Sequence, residues 1–226
     1  MFHDVSDPTT PSTLQWVMRL DLLEALLRFL QKSQFQTISC TDLIAKKDTY
    51  LPKTIALTFD DGYASFHTLA LPLLKKYGFT ATVFMTTDFI DGMVQSGGVD
   101  HPALTRAQLQ DLAANGIEIG SHGCRHTDMR KLTTEEKDAE FSKSKAILED
   151  ITQKKVNVLS YPHGRYDTST EYAVKKSGYT GACSVFTGLS KSSFTQFAYD
   201  RLELSNYAHP LQELEFRLKT SGVYIF

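Results

Sequence analysis

The chain has 226 residues, 42% apolar and 22% charged, a composition close to that of folded globular chains and remote from disordered, collagenous or disulfide-scaffold ones. Lysines and arginines number 24 against 26 aspartates and glutamates, a formal charge of −2, so no electrostatic footprint asks for nucleic acid or an anionic membrane. No apolar run approaches the ~18 residues of a transmembrane helix, and the length favours a single domain over residues 1–226.

In chain order, Met1-Phe2-His3-Asp4-Val5 has neither the basic nor the apolar stretch of a leader and reads as a strand, Phe2 to Val5, which leaves the compartment open. Leu20, Leu23, Leu27 and Leu30 recur at three and four residues and predict a helix. Strands are expected at Gln36 to Cys40, Thr54 to Phe59 and Ala81 to Met85. Thr86 to Pro102, with Gly92, Gly97 and Gly98, is the longest irregular stretch, and loops of that length are usually functional or disordered. Leu109, Leu112 and Ala113 begin a second helix, and Ile117 to Ser121 is the next strand. The segment after Met129 is a loop, and Thr133-Thr134-Glu135-Glu136 opens a third helix with a threonine cap and a capping-box glutamate. Strands at Val156 to Tyr161, Thr180 to Ser184 and Arg201 to Leu204 complete the series. Strands alternating with helices signal an α/β fold of parallel strands joined by helical crossovers. Seven or eight such strands favour a closed TIM-like barrel, an open doubly wound sheet fitting less well, and either places a ligand at the carboxyl ends of the strands. Cys40, Cys124 and Cys183 are odd in number and lack a Cys-x-x-Cys, so they fit neither a disulfide framework nor a four-cysteine zinc site.

Chemistry-bearing residues follow three of these strands directly. Thr58-Phe59-Asp60-Asp61-Gly62 puts two carboxylates at a strand end, where they repel unless a cation shares them; a metal on one would also hold the other ionised as a base. A solvated Asp-Asp-Gly turn accounts for this segment equally well when it is taken alone. In Ser121-His122-Gly123-Cys124-Arg125-His126, two histidines four residues apart are expected to face the same side of a helical turn and so to reach one ion, although taken alone a pair at this spacing is more often incidental. With Asp61 they make the two-His, one-carboxylate set of catalytic zinc with a position open for water, a set that also suits iron, cobalt or nickel. Leu159-Ser160-Tyr161-Pro162-His163-Gly164-Arg165-Tyr166-Asp167 stops a strand with proline and glycine. It is either a plain strand-to-helix loop or a turn that aims a backbone N–H at a developing oxyanion.

In this order the three segments resemble the motifs of the polysaccharide deacetylases, carbohydrate esterase family four. Thr58 to Gly62 is similar to the first motif, His122 to His126 to the second, and Tyr161-Pro162-His163-Gly164 to the third, which often reads Tyr-Pro-Tyr-Gly. Asn115 to His122 and Leu71 to Gly78 also resemble the family, so the likeness runs from about Phe2 to Leu204. It implies a distorted (β/α) barrel that hydrolyses acetamides on a glycan of the poly-N-acetylglucosamine, chitooligosaccharide or peptidoglycan type, with one divalent metal, zinc by default. By position, the resemblance makes Asp61, His122 and His126 metal ligands, Asp60 the general base and the His163 N–H the oxyanion donor. Tyr63, Tyr161, Pro162 and Gly164 would line the substrate pocket.

Two family features are missing. The late Leu-x-His motif, whose histidine protonates the leaving amine, has no match around His209, and the arginine two residues before the third motif's proline is replaced by Ser160. Phe2-His3-Asp4-Val5, the leucine-rich helix and Phe35 to Ser39 instead resemble a circularly permuted branch, the poly-N-acetylglucosamine deacetylases, which makes His3 the acid. His67 and His101 stay outside this set. A hydrolase of a non-sugar amide or cyclic imide on the same fold and a catalytically silent glycan binder are the alternatives, the latter motivated by the missing arginine and late motif.

Overall fold

The structure is a computed structural model that describes residues 1–9, 16–45, 53–185, 195–204 and 209–220. Along the chain it forms β1 (Asp4–Ser6), β2 (Val17–Arg19), α1 (Leu20–Lys32), β3 (Gln36–Thr37), α2 (Cys40–Ala45), β4 (Thr54–Ile55) and β5 (Thr58–Phe59). A π turn (Phe66–Ala70) runs into α3 (Leu71–Tyr77), followed by β6 (Thr82–Met85), β7 (Met93–Ser96), β8 (Val99–Pro102), α4 (Arg106–Ala114) and β9 (Glu118–Ser121). Then come α5 (Thr134–Thr152), β10 (Val158–Ser160), α6 (Thr168–Lys176), β11 (Gly181–Val185), β12 (Tyr199–Arg201) and α7 (Pro210–Thr220).

Six strands make one parallel sheet in the order β12-β11-β10-β9-β6-β5. The sheet curls until its edges are bridged by the first two residues of the chain. Phe2 donates to the Thr58 carbonyl (2.8 Å) and accepts from the Asp60 N–H (2.9 Å), while Met1 accepts from the Leu204 N–H (3.2 Å). This seam closes the barrel and sets His3 at its mouth.

Strand alternation sorts the side chains into two layers. Leu57, Phe59, Val83, Met85, Ile119, Leu159 and Ala182 belong to the large cluster shared with the helices, where α1 buries Leu23, Leu26, Leu27 and Leu30. Ala56, Phe84, Val158, Cys183 and Tyr199 form a smaller cluster with Cys40, Leu43 and Ile44 of α2, which plugs the amino-terminal end of the strands. Gly120 fits that interior because a Cβ there would stand 2.6 Å from the Phe84 ring. The cysteines are buried free thiols.

Several expected boundaries change for local reasons. The strand expected to reach Cys40 ends at Thr37, because Ser39 Oγ accepts the Asp42 N–H (3.0 Å) and starts α2 instead. Thr54 to Phe59 divides into β4, paired with β3, and β5, paired with β6. The long irregular stretch is ordered: β7 and β8 form an antiparallel hairpin turning at Gly97 and Gly98 (φ 59° and 79°), the left-handed pair a two-residue turn requires. Thr133 caps α5 through the expected box with Glu136, and Thr105 with Gln108 forms a second box that fixes the start of α4. Met129–Lys131 is a 3₁₀ turn.

Candidate metal centre and active site

Every segment singled out for chemistry ends at the carboxyl edge of the sheet, where a pocket of about 260 Å³ opens. Asp60 and Asp61 follow β5, His122 follows β9, and Tyr161 to Gly164 follow β10. The pocket is lined by His3, Asp60, Asp61, His122, His126, Tyr161, His163 and Gly164, together with Trp16, Ser96, Val185 and Glu203. Tyr63 and Pro162 are buried and are not among the lining residues, and neither are His67, His101 and His209.

Asp61, His122 and His126 present one ligand atom each within 4.8 Å of one another. Asp61 Oδ1 lies 3.3 Å from His122 Nε2 and 3.2 Å from His126 Nε2, yet it is buried and makes no hydrogen bond of good geometry. A carboxylate oxygen orphaned between two imidazoles fits a cation bound by all three, and the donor set is that of zinc and its first-row neighbours. His122 Nδ1 donates to the Ser160 carbonyl (2.8 Å), which leaves Nε2 with a lone pair facing Asp61. Burial pushes Asp61 up, and the two imidazoles pull it further down, so the carboxylate stays ionised. Asp61 and His126 both occupy the left-handed region (φ 70° and 53°), a strained placement typical of functional sites.

Asp60 is held by a residue the motifs do not include. Arg201, 1% exposed, forks onto its carboxylate with Nη1 to Oδ1 and Nη2 to Oδ2, both 2.7 Å. Ser160 Oγ donates to Asp60 Oδ2 (3.0 Å) and accepts from Arg201 Nη2 (2.6 Å), so the serine that stands at the sequence position of the missing motif arginine joins a strand-borne arginine in holding Asp60. Burial pushes Asp60 up, but the Arg201 charge and hydrogen bonds outweigh it and hold the carboxyl at about 2. Arg201 in turn lies over the Phe84 ring (5.2 Å) and donates to Thr58 and the Ser184 carbonyl.

His3 Nδ1 stands 3.4 Å from Glu203 Oε1, both side chains 18% exposed. Arg201 and Glu203 lie two residues apart at the sheet edge, one at Asp60 and the other at His3. His163 takes φ 58° in the turn after β10, with its ring edge-on to His126 (4.5 Å); partial burial and the neighbouring imidazoles push it down. Tyr161 donates to the Phe197 carbonyl (3.0 Å) and stacks on Tyr166. The sequence reading missed Arg201, Glu203, Trp16 and Ser96. Only the alternation Arg201-Leu202-Glu203-Leu204, two charges on one side of a buried strand end, hinted at the first two.

Residues 47–182 match the model of the family described as polysaccharide deacetylase. The YxkH protein of Bacillus subtilis is 30% identical over 185 residues, covering 80% of this chain and 63% of that protein. Peptidoglycan-N-acetylmuramic acid deacetylase PdaA of the same organism is 29% identical over 182 residues, covering 74% of this chain and 63% of its own length. The chain therefore spans less than two thirds of the length of these relatives. The Streptococcus pyogenes deacetylase PplD, solved in complex with acetate, shares the fold with a TM-score of 0.80 at 22% identity, over 97% of this chain and 95% of that one. The matched span holds all three motif segments, while His3, Trp16, Arg201 and Glu203 reach the same pocket or its base from outside it. With its matched motifs gathered at one barrel mouth, this chain belongs to the polysaccharide deacetylase family.

Proposed function

We propose that this chain is one catalytic domain that removes acetyl groups from an N-acetylated glycan of the cell-envelope type, using a single divalent metal held by Asp61, His122 and His126. The observation that carries the reading is the convergence of an orphaned carboxylate oxygen and two imidazole nitrogens beside a second, arginine-held carboxylate in one pocket. When bound, the metal supplies Lewis-acid activation of the acetamide carbonyl and of the attacking water.

Asp60 is the general base in this reading: ionised at neutral pH, it takes the water's proton as the water adds to the acetamide carbon. The His163 N–H donates to the oxygen that becomes negative in that addition, supported by the left-handed turn that sets this residue against His126. His3 then gives its proton to the departing amine, with Glu203 beside Nδ1 orienting the ring. Tyr161 and Gly164 border the sugar, and Ser96 brings the β7–β8 hairpin to the rim.

The test is acetate release from a short N-acetylglucosamine oligomer, before and after chelation and after zinc is restored. Release that disappears with chelation and returns with zinc supports the reading; ring opening of a small cyclic imide without acetate release replaces the glycan as substrate. The role of His3 has its own signature. An amine leaves badly and needs an acid, whereas a nitrophenolate does not, so His3→Ala should slow the glycan ~100-fold and 4-nitrophenyl acetate by less than about threefold. Equal losses on both substrates would remove His3 from the proton-donor role.

A further inference from the structure

We propose that Glu140 is a positioning residue for the metal: its carboxylate clamps the main chain between His122 and His126 and so sets the affinity of the site. This rests on the reading of Asp61, His122 and His126 as ligands.

The span from His122 to His126 is not a helical turn. Gly123 (φ 77°) and His126 (φ 53°) both adopt left-handed backbone, which for a residue with a side chain costs free energy that its surroundings must offset. On one side the loop between the two histidines is held by Glu140, 3% exposed on α5. Its Oε2 accepts the N–H of Cys124 (2.7 Å) and of Arg125 (3.2 Å), and its Oε1 pairs with Arg125 Nε. Cys124 Sγ also turns to this helix, donating to the Glu140 carbonyl (3.4 Å), and so faces away from the ligands. Two successive amides aimed at one carboxylate form the kind of cradle that backbone nests offer to anions.

On the other side the carbonyls of Gly123 and Cys124 accept from the main-chain N–H groups of Thr87 (3.1 Å) and Asp88 (3.0 Å). The loop is thus gripped between main chain, which no substitution removes, and a carboxylate on a helix packed against α4, α6 and β9. The fit is close: a Cβ on Gly123 would stand 2.8 Å from Met129 Cε and 3.3 Å from Glu140 Oε2. A buried carboxylate is costly unless its hydrogen bonds are made, and Glu140 makes them to this loop. It does not line the pocket, so it acts on the ligands and not on the substrate. With the grip released, the strained His126 backbone is free to relax and the imidazole moves off the common point.

The experiment compares wild type, Glu140→Gln and Glu140→Ala. Zinc affinity is measured by competition with a chromogenic chelator, and melting temperature with EDTA and with saturating zinc. Loss of an outer-shell partner typically costs 10–100-fold in metal affinity, so Glu140→Ala should weaken zinc by ~10–100-fold. Glu140→Gln, which keeps one acceptor oxygen, should fall between and carries the test if the alanine variant does not fold. The rise in melting temperature on adding zinc should shrink in the same order, while kcat at saturating zinc stays within about threefold of wild type. Unchanged zinc affinity in the folded variants overturns the clamp, whatever happens to the melting temperature without metal. Wild type that binds no zinc overturns the metal reading itself, a result seen before any substitution is made.

Discussion

Asp60→Asn is expected to lower kcat by ~10²–10⁴-fold and also to destabilise the fold by ~3–5 kcal/mol, where a base replaced at an exposed site would lose activity alone. The activity loss follows from removing the one group placed to take the water's proton. The stability loss follows from Arg201, whose side chain is fully buried and whose fork onto Asp60 neutralises it. Asparagine leaves that guanidinium inside the barrel without its counter-charge. Because the folded carboxyl sits near 2, below its ordinary value of 3.8, the pair contributes stability above the ordinary carboxylate range. That contribution is lost as the pH falls toward about 2. Replacing both partners, as Asp60→Asn with Arg201→Met, should restore most of the stability and none of the activity. Urea unfolding and acetate release on zinc-loaded samples measure both; a single variant as stable as wild type would show that the buried pair contributes nothing net.

His122→Ala should abolish zinc binding and reduce acetate release by ~10³-fold or more, since the Lewis-acid contribution amounts to several kcal/mol. His122 is 2% exposed and fixed by the Ser160 carbonyl, so no solvent-mobile group can take its place. His126, with 24% of its side chain exposed, is the softer ligand, and His126→Ala should weaken zinc without emptying the site at millimolar metal. Elemental analysis of the two variants beside wild type decides this; a full equivalent of zinc retained by His122→Ala would dissolve the proposed centre.

How far the sequence carries depends on whether a feature is local. The alternation of strands and helices, the cap at Thr133 and the three motif segments are short-range patterns, and the structure brings all three segments to one pocket. Long-range consequences were hidden. The division of Thr54 to Phe59 into two strands depends on which partner each half meets, and the hairpin from Met93 to Pro102 carries too few apolar residues to announce itself. Arg201 could not be assigned to Asp60 because 141 residues separate them and only the closing curl of the sheet makes them neighbours. Tyr63, expected at the pocket, is 1% exposed beside His101, with burial and the nearby Asp61 carboxylate pushing its phenol up.

The arginine on β12 bears on how incomplete motifs in such chains are scored. By sequence offset this chain lacks the third-motif arginine, and the gap argues for a silent relative. Asp60 nevertheless has a guanidinium beside it, delivered from β12, with Ser160 small enough to admit it and polar enough to bond it. The requirement falls on a point inside the barrel, and any inward-facing strand position that reaches it can meet it. A census of active and inactive homologues should therefore ask which residue neutralises the first aspartate of the Asp-Asp pair, and two lineages that answer differently need not differ in chemistry.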